Sequence, residues 1–331
     1  MKIGIIGCGK QAPKHISGLR AAGVEHIVVT DTMPEAITRL TNADPSLIAA
    51  ASVEDMMADP DIVGVSICTP TPSHAPLIRA AIAAGKHYLC EKPLCDDLDE
   101  ARALADATSK AQLIGMVGYI YRFVPAFETA KDMLGGVIEN GVSPVLGRVT
   151  NASFRVGGRG SQAVWKHQQA TGGGAINEMM VHMVDLAHWL FGAPTDAHLL
   201  RKEQRWPTRH IMGTTHDVDA EDWTLTVLNH ANNIDVTIQA DFITPAFTQY
   251  IEIQGENGSF FGSIQPDMPN FVFCVEPRAS YYAGKTELAS KPVNLFEAQM
   301  GTFVDSMKSG TRPDRGSIQD ALGVMETMAR L

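Results

Sequence analysis

The 331-residue chain has only five cysteines, Cys8, Cys68, Cys90, Cys95 and Cys274, an odd number with no CxxC pair. Cys90 and Cys95 stand too far from other soft ligands to suggest zinc, so reduced thiols in a cytosolic protein are the expectation. No apolar run approaches the ~18 residues of a membrane helix. The start, MKIGIIGCGK, meets glycines at once and lacks the long apolar segment of a secretory leader. A cytoplasmic protein with no membrane partner is therefore expected. Basic residues are also few: 27 Lys and Arg against 37 Asp and Glu give a formal net charge of −10. With no basic cluster to reverse that balance, a nucleic-acid surface is disfavoured. Neither internal repeats nor low-complexity segments occur.

What is present reads as two domains. A hydrophobic content of 45% with 19% charged residues suits a globular protein, and the length exceeds one ordinary core. Over 1–120, short apolar runs alternate with helical stretches. Strands are expected at 2–6, 26–30, 62–68, 87–90 and 113–118. Helices are expected at 12–22, 34–41, 52–58, 73–84 and 97–110. This is the βαβ rhythm of a doubly wound parallel sheet, an α/β Rossmann domain. Beyond 120 the rhythm stops. Strands at 145–156, 223–230, 234–242, 249–254 and 271–275, with helices at 174–191, 295–309 and 317–330, predict an α+β domain. Its open sheet should be large and mostly antiparallel, since TLTVL and IDVTI alternate polar with apolar. The expected division is 1–120 and 121–331, with the last helix free to pack back on the first domain.

The first strand ends in Gly7-Cys8-Gly9-Lys10-Gln11-Ala12, a GxGxxA run that opens a helix. Gly7 permits the tight turn, Gly9 admits a pyrophosphate to the backbone, and Ala12 allows close helix–strand packing. The helix N-terminus then offers N–H groups to the phosphates. Asp31 ends the second strand, where a carboxylate accepts ribose hydroxyls and repels a 2′-phosphate. The next residues, Thr32 and Met33, supply no arginine for that phosphate. The cofactor expected is NAD rather than NADP.

Further segments carry a family resemblance: SICTPTPSHAPLIRAAIAAGKHYLCEKPL at 66–94, GYIYRFVPAF at 118–127, GGGAINEMMVHMVDLAHWLFG at 172–192 and IEIQGENGSF at 251–260. With the fingerprint at 4–19, the chain resembles the Gfo/Idh/MocA oxidoreductases, the family of glucose–fructose oxidoreductase and inositol dehydrogenase. The resemblance implies that Thr69, Pro70 and His74 border the cofactor, that Glu91 lies near the nicotinamide ribose, and that Lys92 is in the active site. It also implies a cis bond before Pro93, a substrate-binding or structural interdomain role for Arg122, and a homodimer or homotetramer formed through the C-terminal sheet. Where the family reads Asp-x-Gly-x-His, this chain has Glu178, Met180 and His182. Met180 adds bulk where the family leaves space.

Lys92 is suited to hydrogen-bonding a substrate oxygen. His182 is suited to taking its proton, with Glu178 one turn away to orient the imidazole or to bind a neighbouring hydroxyl. Trp165, with Lys166 and His167, suits a sugar: an apolar ring beside donors. Gly172-Gly173-Gly174 reads either as a flexible approach to substrate or as an ordinary turn. A metal site is not expected, because the His182–His188 spacing is not that of a zinc helix. The expected activity is NAD-dependent oxidation of a secondary alcohol of a sugar, sugar acid or inositol. An NAD-dependent glycosidase with redox-elimination chemistry and a cofactor-binding regulator remain as alternatives. A nucleotide-sugar substrate has a short likeness at 11–15.

Overall fold

The computed structural model describes residues 1–159, 163–289 and 292–331. The chain divides into two compact units. One comprises Met1–Phe123 with Val293–Met325, the other Val124–Pro292 with Glu326–Leu331.

The first unit is built on a parallel sheet of β1 (Lys2–Ile6), β2 (His26–Thr30), β3 (Ile48–Ala49), β4 (Ile62–Ile67), β5 (His87–Cys90) and β6 (Gly115–Val117), in the order β3-β2-β1-β4-β5-β6. β1, β2 and β4 are mainly apolar because helices cover both faces, and Ile3, Ile5, Val29, Val65 and Ile67 are fully buried. The helices are α1 (Ala12–Ala21), α2 (Pro34–Ala43), α3 (Val53–Ala58), α4 (His74–Ala83) and α5 (Leu98–Lys110). Ser52 caps α3 through Asp55 N–H and Asp97 caps α5 through Glu100 N–H, which sets where both helices begin. Strand order reverses between β1 and β4. The loops after β1, β2, β4 and β5 therefore open on one edge, where such sheets take ligands. They carry Gly7, Asp31, Thr69 and Glu91.

In the second unit, α6 (Pro125–Met133) and α7 (Val137–Asn140) precede β7 (Val142–Ser143) and β8 (Gly147–Gly157). Then come α8 (Val181–Phe191), β9 (Asp196–Glu203), β10 (Thr208–Ile211), β11 (Thr214–Asp217), β12 (Trp223–His230), β13 (Ile234–Asp241), β14 (Thr248–Gly255), β15 (Gly258–Gly262), β16 (Phe271–Cys274) and β17 (Gly284–Glu287). The large sheet runs β17-β16-β15-β14-β8-β13-β12-β9, with β7 paired to β8 and β10–β11 a separate hairpin. β8 and β13 are parallel; the other pairs are antiparallel. Burial alternates along β12 and β14, so one face is core and the other is half-open. α8 lies on the core face and buries Val184, Leu186 and Leu190.

Near its end, over Val293–Met325, the chain returns to the first unit. α9 (Leu295–Ser309) packs along α1 and puts Met300, Phe303 and Val304 into the same core as Ile3 and Leu19. α10 (Ile318–Met328) ends the fold.

Candidate active site

The turn after β1 is built as the fingerprint requires. Gly7 has φ +94°, and a Cβ there would lie 2.9 Å from both Cys68 O and Thr69 Cγ2, so no other residue fits. Above Gly9 a Cβ would meet nothing within 4 Å; the backbone faces open space. Asp31 closes the other side of the turn. Its Oδ2 accepts from Cys8 N–H at 2.6 Å and its Oδ1 from Met33 N–H at 2.9 Å. Arg39 adds a bond to the Cys8 carbonyl at 3.1 Å. Lys10 is exposed, Ala12 is buried beneath the helix start, and Gln11 has a buried Oε1 without a hydrogen-bond partner at the mouth of the loop. An open glycine turn, a fixed carboxylate and an unmet acceptor fit a dinucleotide, with Gly7, Gly9, Gln11 and Asp31 as the residues to hold it.

The Glu91-Lys92-Pro93 turn is held from two sides. His15, on the first turn of α1, is fully buried. Its Nε2 lies 2.9 Å from Glu91 Oε1 and its Nδ1 lies 2.7 Å from Ser66 Oγ. Burial opposes charge on the ring, but Cys68 and Glu91 outweigh it and push His15 up to about 10. Burial likewise raises Glu91, but His15, Lys92 and His74 together hold its carboxyl below the ordinary range. On the other side, His74 is 1% exposed, and its ring nitrogens lie 2.8 Å from the carbonyls of Thr69 and Pro93. His74 thus ties the β4 loop to this turn rather than facing open space. Thr69 and Pro70 stand at the rim, Thr69 bonded to Ser73 at 2.7 Å. Lys92 is half-buried and the Lys92–Pro93 bond is cis.

In the second unit the helical stretch expected from 174 begins as a π-helical turn, Ile176–Met180, before α8. Such turns are rare and concentrate at functional sites. The turn changes the reading of Glu178 and His182: their four-residue spacing does not run along a continuous α-helix, so a shared face does not follow from spacing alone. It also redirects Met180. That side chain is fully buried, with Sδ 3.1 Å from Thr226 Oγ1 and 4.0 Å from Thr224 Oγ1 on β12. Its bulk goes into the sheet.

Glu178 is 9% exposed and forms a short ion pair with Lys166, whose ammonium lies 5.1 Å from the centre of the Trp165 ring. These residues come from the turn Val164–His167, and Trp165 is 37% exposed. His167, by contrast, is buried with its ring edge-on to Phe242 at 5.0 Å, a packing role. His182 is half-buried. The glycines ahead of the π turn answer internal contacts. A Cβ on Gly173 would fall 2.5 Å from the Lys166 carbonyl. Gly174, with φ +118°, would place one 2.2 Å from Glu221 Oε1, the atom that accepts from Ile176 N–H at 3.0 Å. The close approach is by the protein's own chain.

Arg122 is 2% exposed inside the first unit, 3.3 Å from Asp320. His188 bonds Thr327 Oγ1 at 2.7 Å and Asp185 is fully buried. Two residues of consequence lay outside the sequence expectation: His15, whose signal was a histidine on the inward face just past the fingerprint, and Lys166 as Glu178's partner, for which spacing gave none. Among the described residues no group of three or more His, Cys, Asp or Glu is placed to hold a metal, and no helix is long and apolar enough to cross a membrane.

The family model GFO_IDH_MocA, an oxidoreductase family with an NAD-binding Rossmann fold, matches residues 1–119, and the GFO/IDH/MocA C-terminal domain model matches 138–261. Levoglucosan dehydrogenase of Pseudarthrobacter phenanthrenivorans is 30% identical over 66% of this chain and 63% of its own length. Inositol 2-dehydrogenase of Ralstonia nicotianae is 24% identical over 94% and 87%. The solved structure of a levoglucosan dehydrogenase complexed with NADH and levoglucosan superposes with a TM-score of 0.84 at 22% identity, covering 100% of this chain and 97% of that one.

Proposed function

The chain belongs to the Gfo/Idh/MocA family of NAD-binding oxidoreductases, and on that premise we propose that it moves a hydride between NAD(H) and a secondary alcohol of a sugar, sugar acid or inositol. The observation that carries the substrate class is the Glu178–Lys166 pair beside the half-exposed Trp165. A hydrogen-bonding carboxylate and an ammonium flank an aromatic face, the chemistry that binds a polyhydroxylated ring. The named activities of the levoglucosan and inositol dehydrogenases support the same class.

The dinucleotide, when bound, supplies the hydride acceptor or donor. The rest falls to side chains. Lys92 donates a hydrogen bond to the reacting oxygen and stabilises its developing negative charge, and His182 takes the hydroxyl proton. Glu178, braced by Lys166, accepts from a neighbouring hydroxyl and orients the ring. The half-open face of the large sheet, with Tyr250, Phe261 and Phe271 stacked at 5.1 and 5.7 Å, is the face we assign to a homodimer or homotetramer. A cytoplasmic location accords with five free thiols.

The test is an NAD+ reduction screen across inositols, aldoses, anhydrosugars and sugar acids, with aryl glycosides as the elimination control. On the best substrate, Lys92→Ala and His182→Ala should each lower turnover by roughly 10²–10⁴-fold while NADH binding persists. Unchanged turnover in both variants refutes the assignment. Aglycone release without net NADH points to the glycosidase chemistry instead.

A further inference from the structure

His15 is a fully buried titratable group for which the hydride-transfer scheme has no use. It sits one turn beyond the glycine loop on α1, yet its ring reaches across to the ends of two other strands, Ser66 on β4 and Glu91 after β5. The titratable groups facing it are Glu91 and Cys68. From α9 the Phe296 ring lies 5.6 Å from it, centroid to centroid, with Lys14 of its own helix 5.1 Å from the same ring. Glu91 in turn is near Lys92 and His74. A carboxylate held among cations has every reason to stay ionised, and an imidazole bonded to it has every reason to keep its second proton. With Oε1 engaged by His15, the second carboxylate oxygen, packed beside Gly118, keeps acceptor capacity for a ligand.

We propose that His15 is a positioning residue of the cofactor site: through the contact of its Nε2 with Glu91 Oε1 it fixes that carboxylate, and through it the Lys92–Pro93 turn, in the orientation that a bound nicotinamide dinucleotide meets. This rests on the family reading of the first unit as an NAD site. The arrangement makes α1 a rigid coupler. Its N-terminus carries the loop suited to the pyrophosphate, and its first turn carries the group that sets the turn expected at the nicotinamide end. The two ends of the dinucleotide are thereby referred to one helix.

Two measurements on the full-length protein test it. Long-range 1H–15N NMR of the His15 ring at pH 8 should show Nε2 protonated, as the donor to Glu91; an unprotonated Nε2 at that pH overturns the proposal. NADH titrations followed by fluorescence should show His15→Ala weakened about tenfold or more. His15→Gln, whose amide N–H can replace the Nε2 donor, should recover most of the affinity. The double variant His15→Ala/Glu91→Gln should bind no worse than the weaker single, because the two act as a unit. Wild-type affinity in His15→Ala, or independent additive losses, overturns the proposal. Should His15→Ala fail to fold, His15→Asn, too short to reach Glu91, takes its place against His15→Gln; equal affinities in that pair overturn the proposal. A wild-type protein that does not bind NADH sinks the cofactor reading itself and this inference with it, whereas wild-type binding with unaffected variants sinks this inference alone.

Discussion

Replacing Gly174 by alanine places a methyl group 2.2 Å from Glu221 Oε1 and 2.6 Å from its Cδ, on a residue with φ +118°. Two costs follow. The backbone conformation is one that side-chain-bearing residues rarely adopt, worth about 1–3 kcal/mol. The Glu221 carboxylate, 5% exposed and tethered by its own carbonyl to Ala175 N–H at 3.0 Å, must move, which breaks its 3.0 Å bond to Ile176 N–H. Leaving that part-buried N–H unmet costs about 1–3 kcal/mol more. Together they destabilise the second unit by about 4 kcal/mol. Urea unfolding followed by tryptophan fluorescence reads this directly, because Trp165, Trp189, Trp206 and Trp223 all belong to that unit. In a Glu221→Ala background the clash disappears, and the same glycine change should cost only about half as much. A Gly174→Ala protein within about 0.5 kcal/mol of wild type, or equal costs in both backgrounds, refutes the reasoning.

Met180→Gly, which restores the family's residue, should destabilise the second unit by about 3 kcal/mol by emptying space against Thr224 and Thr226, and should leave the substrate range unchanged; a broadened range in the NAD+ reduction screen contradicts the placement of Met180. Burial pulls His230 down to about 4. Between that value and the ordinary histidine value near 6.5 the unfolded chain holds a proton that the folded chain lacks, so stability is full above pH 6.5 and falls as the pH drops towards 4, by about 3 kcal/mol in all. His230→Phe, packing tilted against Phe191 as the native ring does at 5.6 Å, should flatten that part of the urea-midpoint profile; an unchanged slope assigns the effect elsewhere.

The strands of the first unit were legible because helices cover both their faces. IVVT and IVGVSI are almost wholly apolar, and their acidic and Thr-Pro boundaries lie within two residues of the observed ends. The dinucleotide loop was legible for the same reason, since its chemistry demands glycine and a carboxylate at fixed places. The second unit was read less completely. β9 (DAHLLRKE) is an edge strand, largely exposed and rich in charge, so it lacks the alternation that betrayed β12. β15 (GSFFG) is too short and glycine-bounded to separate from a turn. At the site, Glu178 and His182 were found by type, but their relation was read on an α-helical period. The π turn shifts that period, and no local signal in INEMM announces it. The Lys166–Glu178 pair joins a 3-10 turn to that π turn, a relation that needs the fold.

The way α9 completes the core with Met300, Phe303 and Val304 bears on how the protein is made. A ribosome emits Met1–Phe123 early, with the glycine loop and Asp31 included, but the helix that lies along α1 arrives only after the whole of Val124–Pro292 has been synthesised. Until then one side of α1 is uncovered apolar surface. A chain cut after residue 123 therefore lacks the helix that completes this core, and should expose that face of α1.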